Sequence, residues 1–570
     1  MLYSIAVWIL LGLASWAVGL TVLKGLQIRC FTRPGDRFII AICLGLVLLS
    51  NVLLALAFIT ALSFGVGIGV GICTLLLVYC WRAELNQFWR TLSPSDWSSL
   101  LAVVVIVAYY TSRKVTWIDA GLYHFGATRW LAEFGAVPGV ALLLDNFGFT
   151  SAWFALTAPL SPAAIAPRVS AVTNGFVLLM MMLTGLMALR RCSFGRAWVT
   201  DWFMVASLGL TLPILFLTTF MSAILVSPSP DIPVIFLTLM VAWSLLTVIN
   251  HRSGAPAQPM AQSTPQLLDG SLVPLILATG ALSIKLTALP LVPVTLLFYW
   301  TRKSDAQRLL VGSAVTLLLL LPIIAMGAVT SGCPFYPVST FCLDLPWTLS
   351  TEQANEAAEV IQGWNRWFGT PPAGAHPLFW RIGQWLQFAK LNSIMVLLLL
   401  VAVILLQITR KAARRFHVKG ILWLFGLGIV GMGFILLQAP MIRFGLGYFV
   451  APTAVAIAVF ISNPSPVLSR WRPKLVQLLP VVAWGTVGLI VFSQRSQLGE
   501  RLILPPAMPS TRTVVERSHD VTYLLPVNER KLCWTAPLPC SRGVDNIQLR
   551  NPEKGIEAGF AWANGNKPDD

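Results

Sequence analysis

Residues 112–162 read SRKVTWIDAGLYHFGATRWLAEFGAVPGVALLLDNFGFTSAWFALTAPLSP, a stretch that gathers Asp119, His124, Arg129, Glu133 and Asp145 among aromatic residues and glycines. Only 23 of the 570 residues are acidic, so carboxylates grouped between hydrophobic segments stand out. A charge beside a bilayer is costly unless it meets water, a partner or a substrate, which makes such a cluster a functional candidate. Asp119 has the chemistry of a base towards a hydroxyl, with Tyr123 and His124 close enough in sequence to position the group it acts on. Arg129 and Glu133 stand at i,i+4 and have a plain structural alternative, an ion pair on a short surface helix.

Three more charged residues sit where apolar segments are interrupted. Asp231 lies in SPSPDIP, held by Pro228, Pro230 and Pro233; it serves either a ligand or simply the start of the next helix as a capping oxygen. Lys285 breaks the apolar run 272–300, where an ammonium either meets a phosphate or lipid headgroup or snorkels to the interface. Arg443, between Pro440 and Gly445, carries the planar fork that suits phosphate; an ordinary interfacial Arg is the alternative. Trp347 belongs to an aromatic-rich loop, and aromatic faces suit sugar rings or polyprenyl chains. Carboxylates to activate a hydroxyl and cations to stabilise a departing phosphate describe a site that moves a sugar from a lipid phosphate.

Other chemistries lack their signatures. There is no Ser-His-Asp elbow, Walker loop, dinucleotide fingerprint or HExxH. GVGIGVGI at 65–72 lies within an apolar span with no Lys-Ser/Thr after it, and reads as glycines for close helix packing. CWTAPLPC at 533–540 has neither a nearby His nor CxxC spacing, which argues against zinc. A divalent cation, Mg or Mn, at Asp231 stays open, and the sequence assigns no metal ligand set.

The elements that must position these residues follow from composition. Hydrophobic residues make up 56% of the chain and charged residues 11%, with mean hydropathy +0.75; continuous apolar runs of spanning length mark an all-α polytopic membrane protein. The net charge of +17 does not point to nucleic acid, because the basic residues come in short clusters between apolar segments. Lys24, Arg29, Arg33 and Arg37; Arg82 and Arg90; Arg190, Arg191 and Arg196; His251 and Arg252; Arg302, Lys303 and Arg308; Arg410, Lys411, Arg414, Arg415 and Lys419; and Arg470, Arg472 and Lys474 fall in alternate loops, which the positive-inside rule makes cytoplasmic. The first run, 5–22, has no basic residue before it and no cleavage site after it, and reads as a retained helix rather than a signal peptide.

Counted this way, about fourteen spans form a transmembrane domain over 1–492, with outer loops at 112–168, 226–233, 330–390 and 438–447. The run 272–300 fits best as two short helices meeting outside at Lys285. Within 330–390, EQANEAAEVIQGWNRWFG reads as an amphipathic helix resting on the membrane interface. The tail, 493–570, should form a small extracytoplasmic cap. Of the nine cysteines, Cys333, Cys342, Cys533 and Cys540 fall outside, which allows two disulfides; Cys333 with Cys342 and Cys533 with Cys540 is the simplest of three pairings.

WIDAGLYHFGATRWLAEFGAVPGVALLLDNFGFTSAWF, SPSPDIP, IKLTALPL, SGCPFYP, RFGLGY and CWTAPLPC, in this order, resemble a bacterial family of multi-spanning membrane proteins of unassigned activity. That family is in turn similar to the GT-C superfamily of polyprenyl-phosphate-dependent glycosyltransferases. The resemblance implies a GT-C-like fold, with Asp119 as catalytic base in the first large outer loop, Asp231 as a second outer carboxylate, and Lys285 and Arg443 as phosphate-binding cations. Asp145, Phe147 and Thr150 depart from the family pattern, and three spans before the span that leads into the loop exceed the single helix common in GT-C enzymes. The expectation is a glycosyltransferase at the outer face of the bacterial cytoplasmic membrane, taking sugar from a polyprenyl-phosphate donor to a glycan, lipid or protein acceptor. A transporter or flippase of lipid-linked sugars is the rival, and a structural subunit of an envelope assembly a third reading.

Overall fold

The computed structural model describes residues 1–254, 267–301, 305–415, 419–462, 485 and 499–563. It is a polytopic helical membrane protein: among the described residues nine helices are long and apolar enough to span a bilayer, and Phe64–Cys80 with Arg82–Arg90 forms a further pair bent by 71°. The expected last span, 478–492, apart from residue 485, and the basic residues Arg302, Lys303, Arg470, Arg472 and Lys474 lie outside the described residues. The short span expected at 100–111 is the end of a longer helix, Pro94–Thr111. That helix starts at a reciprocal cap, with Ser93 Oγ accepting from Asp96 N at 3.3 Å and Asp96 Oδ2 accepting from Ser93 N at 2.7 Å. The run 272–300 is indeed broken: helix Leu272–Ile284 ends at Lys285, whose backbone is extended, and Leu291–Thr301 begins after a short turn.

Among the described residues, several of the basic loops meet at one end of the bundle. Arg33 Nη1 donates to Asp201 at 2.7 Å and Arg33 Nε to Asp36 at 2.8 Å, while Arg191 binds the same two carboxylates. Lys24 pairs with Glu84 at 2.6 Å, and Arg190 pairs with Asp96. Asn250 Nδ2 donates to Lys419 O at 3.1 Å. Segments far apart in sequence are thus tied by ion pairs and hydrogen bonds at the end opposite the 112–168 loop.

Close packing occurs in GVGIGVGI at one glycine only, and is tighter between the first two helices. Helices Leu2–Gly25 and Pro34–Leu56 cross so tightly that a Cβ on Gly19 would lie 1.8 Å from Ala41 O, and one on Gly45 1.7 Å from Ser15 O. In Phe64–Cys80 only Gly67 meets a neighbouring segment, at Pro159, while Gly69 and Gly71 meet nothing within 4 Å.

The tail has two antiparallel hairpins, Thr513–Ser518 with Val521–Pro526 and Ile547–Leu549 with Phe560–Trp562. It lies on the 112–168 loop: Phe560 N donates to Pro138 O at 2.9 Å, and Arg129 Nη1 to Ala536 O at 2.7 Å. Met1 reaches the same end, its amine donating to Arg501 O at 2.8 Å. Disulfides join Cys333 to Cys342 and Cys533 to Cys540.

The amphipathic segment expected as one helix is two, Thr351–Gln362 and Trp364–Phe368, because Gly363 at φ +53° ends the first in a left-handed turn.

Candidate functional site

Asp119, Asp231, Lys285 and Arg443 come from four separate segments and meet in one cluster. Asp119 stands at the entrance to a π-turn, Ala120–His124, that runs into helix Phe125–Glu133. A π-turn inserts one residue into helical winding and re-aims the side chains around it. Asp231 is the first residue of helix Asp231–Gly254. The loop before it is pinned by a buried asparagine, Asn174, which donates to Ser227 O at 2.6 Å and Ser229 O at 2.9 Å while accepting from Trp153 Nε1 at 2.9 Å. Lys285 projects from the helix break, which Ser151 Oγ braces at Ile284 O (2.7 Å) and Tyr448 Oη at Thr287 O (2.9 Å). Arg443 follows Pro440 in the first turn of helix Ile442–Ser462.

The ion pairs interlock. Arg443 Nη1 donates to Asp119 Oδ2 at 3.2 Å and stands 3.8 Å from Asp231 Oδ2; Lys285 Nζ pairs with Asp231 Oδ1, and Ser229 Oγ donates to Asp231 Oδ2 at 3.2 Å. Two cations therefore face two carboxylates, a set balanced by itself. The Asp231 side chain is 2% exposed and that of Asp119 26%, so Asp119 is the carboxylate a ligand can reach. Aromatic faces cover the cations: Arg443 lies 4.4 Å from the Phe444 ring centre, 5.1 Å from Trp117 and 5.6 Å from Phe220, and Lys285 lies 4.3 Å from Phe444.

Several buried donors and acceptors around the cluster find no protein partner, among them Arg443 Nε, Trp117 Nε1 and His124 Nδ1. Buried polar atoms are rarely left unpaired, so such a group marks where ligand or water atoms belong. His124 is 2% exposed, and burial pushes its imidazole down to about 4, against the opposing pull of Asp119. It is neutral at neutral pH. Burial, with the Asp119 and Asp231 charges added, raises the Tyr123 phenol, which stays a neutral donor.

Trp347 is not part of the cluster; its Nε1 donates to Ala328 O at 3.1 Å and Arg550 covers its ring at 4.4 Å. Arg129 and Glu133 form the i,i+4 pair, at 2.7 Å. Asp145 caps its own turn by accepting from Asn146 N at 2.8 Å, and burial raises its carboxyl. Phe154, whose ring centre is 5.4 Å from His124, also lines an apolar crevice walled by Trp130, Phe147, Phe149 and Met326. It adjoins the charges without containing them.

Sequence reasoning missed Trp117, Phe220, Phe444, Asn174 and Trp534. Asn174 carried a signal, since a carboxamide inside an apolar span must be bonded there. Trp534 carried none: its N donates to Gly121 O at 2.9 Å, and a Cβ on Gly121 would stand 2.4 Å from its ring. The disulfide-closed loop 533–540 thus rests on the π-turn beside Asp119.

A family model described as a domain of unknown function (DUF8201) matches residues 1–450, a range that includes all four clustered charges and excludes the tail. No curated protein and no solved structure matches the chain.

Proposed function

The chain belongs to the DUF8201 family, and from the four-charge cluster we propose that it is a GT-C-type glycosyltransferase at the outer face of the bacterial cytoplasmic membrane. It takes a sugar from a polyprenyl-phosphate donor and passes it to a hydroxyl of a cell-envelope glycan, lipid or protein. The observation that carries this reading is the convergence of Asp119, Asp231, Lys285 and Arg443 beside unpartnered buried donors. The outer-face assignment is supported by two disulfides and the site loop sharing the end opposite the basic clusters.

In the proposed step the acceptor hydroxyl gives its proton to Asp119 as its oxygen bonds to the anomeric carbon. The bond from that carbon to the phosphate oxygen breaks, and the electron pair leaves with the phosphate. Arg443 and Lys285 hold the released charge. A donor phosphate competing for Arg443 draws it from Asp119, so the base is freed as the donor binds. Tyr123 and neutral His124 orient the acceptor. Asp231, buried against Lys285, positions the two cations; binding sugar directly would require that pair to open. Mg or Mn fits the site poorly as arranged, because both carboxylates are already paired to cations, and no step is routed through a metal.

The broken helix at Lys285 favours a second reading, since discontinuous helices with buried charges also build transporter sites. Purified protein in liposomes, given labelled polyprenyl-phosphate sugars and candidate acceptors, separates the two. Glycosylated acceptor with release of polyprenyl phosphate supports the enzyme. Movement of intact donor between leaflets, with no product, supports the transporter.

A further inference from the structure

Helix Pro377–Phe388 carries large apolar side chains on its outward side: Leu378 is 55% exposed, Phe379 72% and Ile382 41%. These three positions fall within about a third of the helical circumference, while Gln384 and Gln387 lie on the opposite side, flanked by Trp380 and Phe388. Trp385, 3% exposed, turns inward instead: its Nε1 donates to Pro440 O at 2.8 Å and its ring stacks on Phe449 at 6.0 Å. Only Ala389 separates this helix from Lys390–Arg415, whose spanning part is 17% buried and otherwise faces outward.

An apolar face this exposed has one occupant suggested by its surroundings. It continues directly into a helix that is itself a candidate membrane span, so the lipid that bathes the span also reaches the helix before it. A helix with one apolar and one polar side, lying at the end of a span, buries the apolar side at the boundary of headgroups and acyl chains. The segment expected to rest there, 352–369, has less to offer: Thr351–Gln362 exposes Glu352, Asn355, Glu356 and Glu359.

We infer that helix Pro377–Phe388 is seated on the bilayer surface and, through Trp385, holds the segment carrying Arg443 at the depth of lipid headgroups. Pro440, the residue Trp385 grips, lies three positions before Arg443. Trp364 adds a second hold, its Nε1 donating to Leu436 O at 3.0 Å. The seat stands on its own whatever reaction the site performs. If the donor is a lipid phosphate, the seat presents Arg443 to it at the level where the phosphate travels.

The test uses full-length protein in nanodiscs, with the exposed Cys73 and Cys80 replaced by serine and single bimane labels introduced by Phe379→Cys, Glu359→Cys or Met441→Cys. Lipids brominated high on the acyl chain should quench the 379 label at least threefold more than the 359 label, with iodide showing the reverse order. Equal iodide access at 379 and 359, with no bromolipid quenching at 379, overturns the seat. Adding Phe379→Asp to the 441-labelled protein should reduce bromolipid quenching at 441 by about half. An unchanged depth at 441 overturns the link to Arg443. Retention of the monodisperse elution profile shows that the variant is folded, which is expected because Phe379 touches lipid rather than core.

Discussion

For single residues, burial and pairing decide which charges are free to act. Asp231 is buried and held by Lys285 and Ser229, so removing Lys285 strands a carboxylate away from water. Lys285→Ala should lower stability by about 3 kcal/mol, the low end for a broken buried pair because Arg443 stands near enough to compensate in part. Thermal unfolding in detergent measures it, and the double change Asp231→Asn with Lys285→Met should recover much of the loss. His124 gives a pH signature. Its folded value of about 4 lies below the ordinary 6.5, so the unfolded chain binds the proton first as pH falls. The neutral imidazole's share of stability is complete above pH 6.5 and is lost as pH falls from 6.5 to 4, at up to about 1.4 kcal/mol per pH unit. His124→Gln should flatten the pH dependence of the unfolding temperature in that window; an unchanged profile would count against a buried neutral imidazole. Asp119, Lys285 and Arg443 were legible in the sequence because an ionisable group inside or beside an apolar run has few reasons to be there. Phe444 and Trp117 were not, because aromatic residues at a membrane boundary are ordinary.

At the scale of elements, the break at Lys285 could be read directly: the apolar run is too long for one span and a lysine interrupts it. The π-turn at Ala120–His124 could not, because no residue type marks such a turn and the tertiary contacts that hold it come from the far end of the chain. The glycine at 121 is explained by the tail rather than by its own helix. Gly121→Ala drives a methyl into the Trp534 ring and should cost about 1–3 kcal/mol by overpacking, while Trp534→Ala added to it should restore stability towards that of Trp534→Ala alone. Strictly additive losses in that cycle would mean that the two residues do not share a contact. The single amphipathic helix expected through 352–369 failed at Gly363, where the need for a left-handed turn outweighed the apolar pattern on either side.

At the scale of the whole molecule, composition alone established a helical membrane protein, and the alternation of basic clusters anticipated which loops would lie together. Arg33 and Arg191, 158 positions apart, share Asp36 and Asp201, and among the described residues Lys24 and Arg190 pair with Glu84 and Asp96 of other segments. The number of spans was less legible, since runs such as 100–111 and 272–300 have helices whose ends or breaks do not follow the apolar boundary. The docking of the tail on the 112–168 loop was also hidden. It rests largely on backbone bonds and on glycines at 121, 139 and 559 that let the chains approach, and backbone bonds leave no trace in residue type.

In the proposed reaction Asp119 takes the acceptor's proton. Single-turnover transfer from a polyprenyl-phosphate sugar in liposomes, comparing wild type with Asp119→Asn at matched donor binding, tests it most directly. Transfer in the variant is expected to be at least a hundredfold slower, the usual contribution of a positioned base, with donor affinity kept within a few-fold. Transfer by Asp119→Asn at the wild-type rate would contradict it.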